Sequence, residues 1–218
     1  ATGLRPVTYL QPGTLANIEN VKTGALNDVL IGDANANVLD SGAGDDVLDG
    51  GAGDDTLIGG DGNDTFIAGT GSDTIVGGAG NDTLDASAAT SAVQIYLDGN
   101  WATGTSIGNK SLSSIENAIS GAGADTITGT EGSNVISSGA GNDFVYAHGG
   151  DDTVDGGDGN DQIFGDGGND TLSGGGGDDL IYGGDGNDTI NGGAGRNTLY
   201  GELGNDTLVY NATASRGY

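Results

Sequence analysis

The 218 residues include 47 glycines and only 34% hydrophobic residues, a composition that excludes one conventional core and favours a repeat architecture. A formal net charge of −27, from 32 acidic and 5 basic side chains, makes bound cations part of any compact state and excludes nucleic acid and anionic membrane surfaces as partners. The absence of cysteine excludes disulfides, thiolate metal sites and cysteine nucleophiles, and no apolar run approaches the roughly 18 residues of a membrane span, so no membrane insertion is expected.

Residues 1–22 read as the end of a preceding spacer or lead-in. They begin on Ala1-Thr2-Gly3-Leu4 without a methionine or a signal-peptide pattern, as if cut from a longer chain. From Thr23 to Asp85 a nine-residue period then runs ungapped through seven copies, of which Gly50-Gly51-Ala52-Gly53-Asp54-Asp55-Thr56-Leu57-Ile58 is representative. The eighth position is apolar in every copy (Leu30, Leu39, Leu48, Leu57, Phe66, Ile75 and Leu84), so this position alone can build a core. The fourth is Gly except at Leu26 and Asn35, and the sixth is Asp except at Asn37. Glycine tolerates positive φ, so each unit predicts a six-residue turn followed by a three-residue strand whose central side chain points inward. Two units make one coil of 18 residues. Stacked coils place the strands in two parallel sheets, with the seventh and ninth positions outward and the acidic turns aligned along both edges.

Residues 86–119 form a spacer, in which Val93-Gln94-Ile95-Tyr96-Leu97 alternates like a strand and is expected to continue the solenoid in larger coils. Tyr96 and Trp101 are expected to pack over a sheet or cap it. The spacer ends on Leu112-Ser113-Ser114-Ile115-Glu116-Asn117, which aligns with Leu15-Ala16-Asn17-Ile18-Glu19-Asn20 at an offset of 97 residues. The offset continues through Asp28/Asp125, Gly32/Gly129, Asn37/Asn134 and Asp46/Asp143, so the chain holds a longer tandem module as well.

The nine-residue period resumes from Ser120 to Val209 through ten copies, with Ile127, Ile136, Val145, Val154, Ile163, Leu172, Ile181, Ile190, Leu199 and Leu208 inward. The sixth position departs from Asp at Asn134 and Asn197. His148, the sole histidine, stands at a second position where Gly is usual and reads as a surface substitution. Tyr146, Phe164, Tyr182 and Tyr200 recur every 18 residues at ninth positions and predict an aromatic ladder on one sheet, while the other sheet carries Thr153, Thr171, Thr189 and Thr207. The ladder is either a stripe for self-association or for a glycan or surface contact, or a run of good strand formers. Residues 210–218 read as the start of a further spacer or a tail.

One inward side chain per nine residues buries too little apolar surface to offset the ordering of the backbone, and stacked aspartates repel. A divalent cation held between turns supplies what is missing. The units match G-G-x-G-x-D-x-U-x, and the chain resembles the RTX (repeats-in-toxin) haemolysin-type calcium-binding nonapeptide-repeat family. The resemblance implies an all-β fold: a right-handed parallel β-roll, or β-solenoid, with 18-residue coils in two stacked roll segments, 23–85 and 120–209, joined by the strand-containing spacer. It also implies that each Ca²⁺ sits between a turn and the turn two units later. The ligands it implies are sixth-position carboxylates and backbone carbonyls of turn glycines, here Gly50, Gly59, Gly77, Gly156, Gly165, Gly174, Gly183 and Gly192; all are oxygens, as calcium prefers.

Full aspartate pairs occur at Asp28/Asp46, Asp46/Asp64, Asp64/Asp82 and Asp55/Asp73, then at Asp125/Asp143, Asp143/Asp161, Asp161/Asp179, Asp152/Asp170, Asp170/Asp188 and Asp188/Asp206, about ten candidate calcium sites. Arg196-Asn197 replaces an acidic turn with a cationic one, and calcium is expected to be poor or absent there. No residue set fixes the imidazole of His148 beside a strained nucleophile, and no enzyme activity is expected. The family resemblance implies a secreted or cell-surface calcium-binding module that folds after export, within a surface-layer, adhesin or filament protein. The alternative is the non-catalytic C-terminal region of a secreted protease, lipase, epimerase or haemolysin.

Overall fold

The structure is a computed structural model that describes residues 20–209; Leu15 to Glu19 of the lead-in and the segment from Tyr210 onward lie outside the described residues. Every regular element among the described residues is a β-strand. The chain divides into two compact units. One comprises residues up to Ala86 together with Asn100–Ile115, and the other Ser87–Gly99 together with the residues from Glu116 onward.

In the first unit one sheet contains Asn20–Lys22, Val38–Ala43, Thr56–Asp61 and Ser72–Ala79, and the other contains Val29–Ile31, Val47–Asp49, Thr65–Ile67 and Thr83–Asp85. Every one of these neighbours is parallel and displaced by one coil, so that Leu39, Leu57 and Ile75 lie in register on one side and Leu30, Leu48, Phe66 and Leu84 on the other. The second unit repeats the arrangement. Ile127, Val145, Ile163, Ile181 and Leu199 align in one sheet, and Ile136, Val154, Leu172, Ile190 and Leu208 in the other.

The expected inward position is the observed core. The eighth residue is buried from Leu30 through Ile190, and its seventh and ninth neighbours are more exposed. Leu199, half-buried, and Leu208, at 49% exposure, depart from this rule. Several strands exceed the expected three residues, reaching eight in Ser72–Ala79. The extra length is turn backbone: Gly42, Gly60 and Gly78 pair in register, and a Cβ on Gly60 would stand 1.9 Å from the Gly42 carbonyl oxygen. Glycine thus brings the turns, as well as the strands, into ladder contact.

The spacer meets the expectation in part. Val93–Tyr96 is a strand parallel to Thr126–Thr128, with Ile95 opposite Ile127 and Leu97 buried beyond it. Residues 101–113, however, form an antiparallel hairpin, Trp101–Gly104 against Gly108–Ser113, closed by a positive φ at Gly108. Its second strand runs parallel to Ser72–Ala79 with Leu112 opposite Ile75, so it continues the first unit's sheet. Trp101 is 39% exposed on that hairpin.

Candidate metal centres

Each nonapeptide turn carries its sixth-position side chain into the protein, beneath the glycine backbone. Asp46, Asp55, Asp64, Asp73, Asp82, Asp125, Asp143, Asp152, Asp161, Asp170, Asp179 and Asp188 are all buried, and Asp28 and Asp206 are half-buried. Carboxylates are rarely buried without a partner, and here the partner is backbone. Along each file the N–H of a sixth residue donates to Oδ1 of the Asp or Asn at the sixth position one coil later. One edge of the first unit reads Asp28 to Asp46 at 2.7 Å, Asp46 to Asp64 at 2.9 Å and Asp64 to Asp82 at 2.8 Å; the other reads Asn37 to Asp55 at 2.8 Å and Asp55 to Asp73 at 2.9 Å.

The second unit has the same two files. Asp125, Asp143, Asp161 and Asp179 follow one another at 2.8 to 3.0 Å, and Asp152, Asp170, Asp188 and Asp206 at 2.9 to 3.1 Å. Every pair expected from the sequence is therefore brought together, with the joining bond running from backbone to carboxylate.

That bond uses only one carboxylate oxygen. The Oδ2 atoms of Asp46, Asp55, Asp64, Asp143, Asp152, Asp161, Asp170, Asp179 and Asp188 are buried with no hydrogen-bond partner. In units that open on glycine Oδ2 points at that residue, whereas Asp46, Asp143 and Asp152 lie in units that open on Ser41, Ser138 and Ala147. A Cβ would stand 2.3 Å from Asp55 Oδ2 at Gly50, 2.1 Å from Asp64 Oδ2 at Gly59, 2.3 Å from Asp82 Oδ2 at Gly77 and 2.6 Å from Asp161 Oδ2 at Gly156. Gly165, Gly174 and Gly183 repeat the contact with Asp170, Asp179 and Asp188 at 2.2 to 2.3 Å. The same virtual Cβ meets a carbonyl one coil on: Gly77 O beside Gly59, Gly174 O beside Gly156 and Gly183 O beside Gly165, at 2.5 to 2.8 Å. In these glycine-opened units an anionic oxygen and a carbonyl oxygen thus flank a space that a Cβ would enter, which suits a hard cation. Among the described residues no three His, Asp or Glu side chains converge, so an ion here would rely on one or two carboxylates and on carbonyls.

Where the sixth residue is not Asp, protein donors fill that space. Asn197 accepts from the Asp179 N–H at 2.9 Å, as an aspartate would, but its Nδ2 donates to the Gly192 carbonyl. Arg196 beside it pairs with Asp178 Oδ2 at 2.6 Å, and its backbone N–H, more than its guanidinium, holds the Asp178 carboxyl below the usual range. Asn134 accepts from Thr130 N at 2.7 Å and donates to Glu116 O at 2.6 Å. Ser120 donates its hydroxyl to Asp125 Oδ2, and Ser138 donates to Gly156 O at 2.8 Å. These serines, and Lys110 on Asp73 Oδ2, lay outside the sequence reading. Ser stands where the repeat has Gly, but Lys110 lies outside the repeat altogether and left no signal in it.

The charged form is hard to hold. Burial first, opposed by the backbone N–H and reinforced by neighbouring carboxylates, pushes Asp152 and Asp161 up to about 7 and Asp170 up to about 6. Burial also raises Asp55, Asp64, Asp143, Asp179 and Asp188 from the ordinary 3.8. These groups bind protons more tightly folded than unfolded. Their stabilising effect is complete below about pH 4 and is lost as pH rises through about 6 to 7. Far-ultraviolet circular dichroism of chelator-treated protein is therefore expected to show more β-signal at pH 5 than at pH 8; a signal that rises with pH would contradict the burial of these carboxylates.

His148 is more than a surface substitution. It is left-handed at φ 76, half-buried, and edge-on to Tyr146 at 4.3 Å, with Nε2 3.8 Å from Asp98 Oδ2. The aromatic ladder forms as expected, with Phe164 stacked on Tyr182 at 5.0 Å and Tyr182 on Tyr200 at 4.7 Å, a cross-strand contact that itself stabilises the sheet.

A comparison with curated proteins finds no match to the chain. Segments 23–57, 58–89, 119–154, 146–181, 155–190 and 173–208 match the family described as RTX calcium-binding nonapeptide repeat (4 copies). They span both nonapeptide arrays and more than half of the sequence, and the aspartate files lie within them. The chain belongs to the RTX calcium-binding nonapeptide-repeat family.

Proposed function

We propose that this chain is an extracellular structural module that folds on taking up calcium after secretion, as part of a surface-layer, adhesin or filament protein. The observation that carries the reading is the file of buried, unpartnered Asp Oδ2 atoms, those of Asp64, Asp161, Asp170, Asp179 and Asp188 standing beside a carbonyl oxygen of the next coil. In an interior turn, Asp161 Oδ2 and the Gly174 carbonyl would be ligands, and Asp64 Oδ2 with the Gly77 carbonyl would be their counterpart in the first unit. Calcium supplies positive charge between carboxylates whose ionised form burial otherwise disfavours. Because the ligands come from successive coils, they are distant in the unfolded chain, and binding free energy becomes folding free energy. Extracellular calcium modules work at about 10⁻⁴–10⁻³ M, a level that would leave the chain unfolded before export and folded after it. The 97-residue internal repeat supports a tandem structural array over a region appended to a secreted enzyme or toxin.

Calcium added to chelator-treated protein is expected to produce a cooperative gain of β-signal in far-ultraviolet circular dichroism. Magnesium at the same concentration should not, because it demands a tighter octahedral shell and dehydrates reluctantly. A chain folded to the same extent in chelator, calcium and magnesium would overturn the reading.

A further inference from the structure

We propose that the Lys110 ammonium is a built-in substitute for calcium at the Asp73 turn, so that this coil joint is tied by a charge the protein carries itself. The inference rests on the reading of the aspartate files as calcium sites. The strand Gly108–Ser113 runs parallel to Ser72–Ala79, with Asn109 opposite Ser72, Lys110 opposite Asp73, Ser111 opposite Thr74 and Leu112 opposite Ile75. In this register the strand is the next coil of the solenoid: Leu112 takes the inward eighth position and Lys110 the sixth, where the file otherwise has an aspartate. The chain has reversed the charge at one rung.

The surroundings of Lys110 match that substitution. Its side chain is 0% exposed and Asp73's is 3% exposed. Nζ donates to Asp73 Oδ2 at 2.6 Å, to the Gly69 carbonyl at 2.7 Å and to the Ile107 carbonyl, and it lies 3.3 Å from the Gly71 carbonyl. Four oxygens therefore surround an ammonium that has three hydrogens to give. One is a sixth-position carboxylate and two are turn-glycine carbonyls, the ligand types proposed for calcium. Asp73 Oδ1 still accepts the Asp55 N–H at 2.9 Å, so its place in the file is normal and only Oδ2 differs from Asp55, Asp152 or Asp161, where no donor is present. The charges also balance. One carboxylate and one ammonium sum to zero. At this rung the protein reaches neutrality with no ion, whereas removing an ion elsewhere leaves adjacent buried carboxylates uncompensated.

The test is the number of calcium ions held by the folded chain, measured by equilibrium dialysis with metal analysis in saturating calcium, with circular dichroism confirming the fold. Lys110→Asp restores the sixth-position acid and is expected to bind one ion more than the parent. A folded K110D that binds the same number overturns the inference, while a parent that binds no calcium overturns the reading beneath it, so the two failures are distinct. Should K110D not fold even in saturating calcium, Lys110→Met decides. It leaves the Asp73 carboxylate without its cation, and the calcium midpoint of folding is expected to rise roughly threefold, the loss being shared among ions taken up together. An unchanged midpoint in K110M overturns the inference.

Discussion

Gly159→Val is expected to prevent the second unit from folding even in saturating calcium. Gly159 is a fourth-position turn residue at φ +140, a conformation β-branched side chains do not adopt. A Cβ there would lie 1.4 Å from the Gly141 carbonyl oxygen and 2.5 Å from its carbon, one coil earlier. Neither side can yield, because Gly141 N is held by Asp158 O at 2.7 Å and Gly159 N by Gly176 O at 2.6 Å. The substitution wedges two coils apart at the point where the carbonyls and carboxylates face one another. Loss of packing, hydrogen bonds and ion sites together exceeds the roughly 5–15 kcal/mol that stabilises an ordinary domain. Gly167→Ala is the control. Its virtual Cβ meets nothing within 4 Å and its φ is not left-handed, so a neutral effect or a gain of about 0.4–1 kcal/mol is expected from the stiffer unfolded chain. Calcium-saturated circular dichroism and urea midpoints of the two variants check this, and a G159V as stable as G167A would refute the close stacking of turns.

Asp161→Ala carries the second largest effect, because one side chain serves two joints. Its Oδ1 accepts the Asp143 N–H at 2.9 Å, its own N–H donates to Asp179 Oδ1 at 3.0 Å, and its Oδ2 is a proposed ligand. Alanine leaves a buried N–H without an acceptor, which costs about 1–3 kcal/mol before any metal is considered, and weakens the ion sites on both sides. Asp161→Asn separates the two contributions, since the chain itself shows that asparagine at a sixth position keeps the backbone bond: Asn197 accepts from Asp179 N at 2.9 Å. The expected order of urea midpoints in calcium is parent, then D161N, then D161A. In chelator at pH 8, where the Asp161 carboxylate is costly, D161N should show at least as much β-signal as the parent. A D161N indistinguishable from the parent in calcium affinity would remove Asp161 from the ligand set.

These outcomes depend on features of different origin. Thr56-Leu57-Ile58 announces its own geometry, because side chains alternate along a strand and only Leu57 is apolar in the inward sense that every other unit repeats. Gly50 and Asp55 are legible for the same reason: a turn that must reverse every nine residues needs the same residues at the same places. The Asp pairs at 18-residue spacing were therefore visible without coordinates. What was not visible is which carboxylate oxygen meets which group, since Oδ1 is consumed by a backbone N–H one coil away and Oδ2 is left for an ion. The aperiodic spacer was less legible still. Val93–Tyr96 showed as a strand by its alternation, but Trp101–Gly104 and Gly108–Ser113 form an antiparallel hairpin whose pairing depends on how its turn closes.

The sequence by itself determined the repeat, the inward residues, the coil of 18 residues and the positions of the acidic files, because each follows from interactions that recur at short, constant spacing. Only the tertiary structure decided that Lys110 stands in the register of a missing aspartate opposite Asp73, that Ser120 covers Asp125, and that Asn197 closes the rung at Gly192. Burial strengthens or penalises a charge according to everything packed around it, and no single strand carries that information.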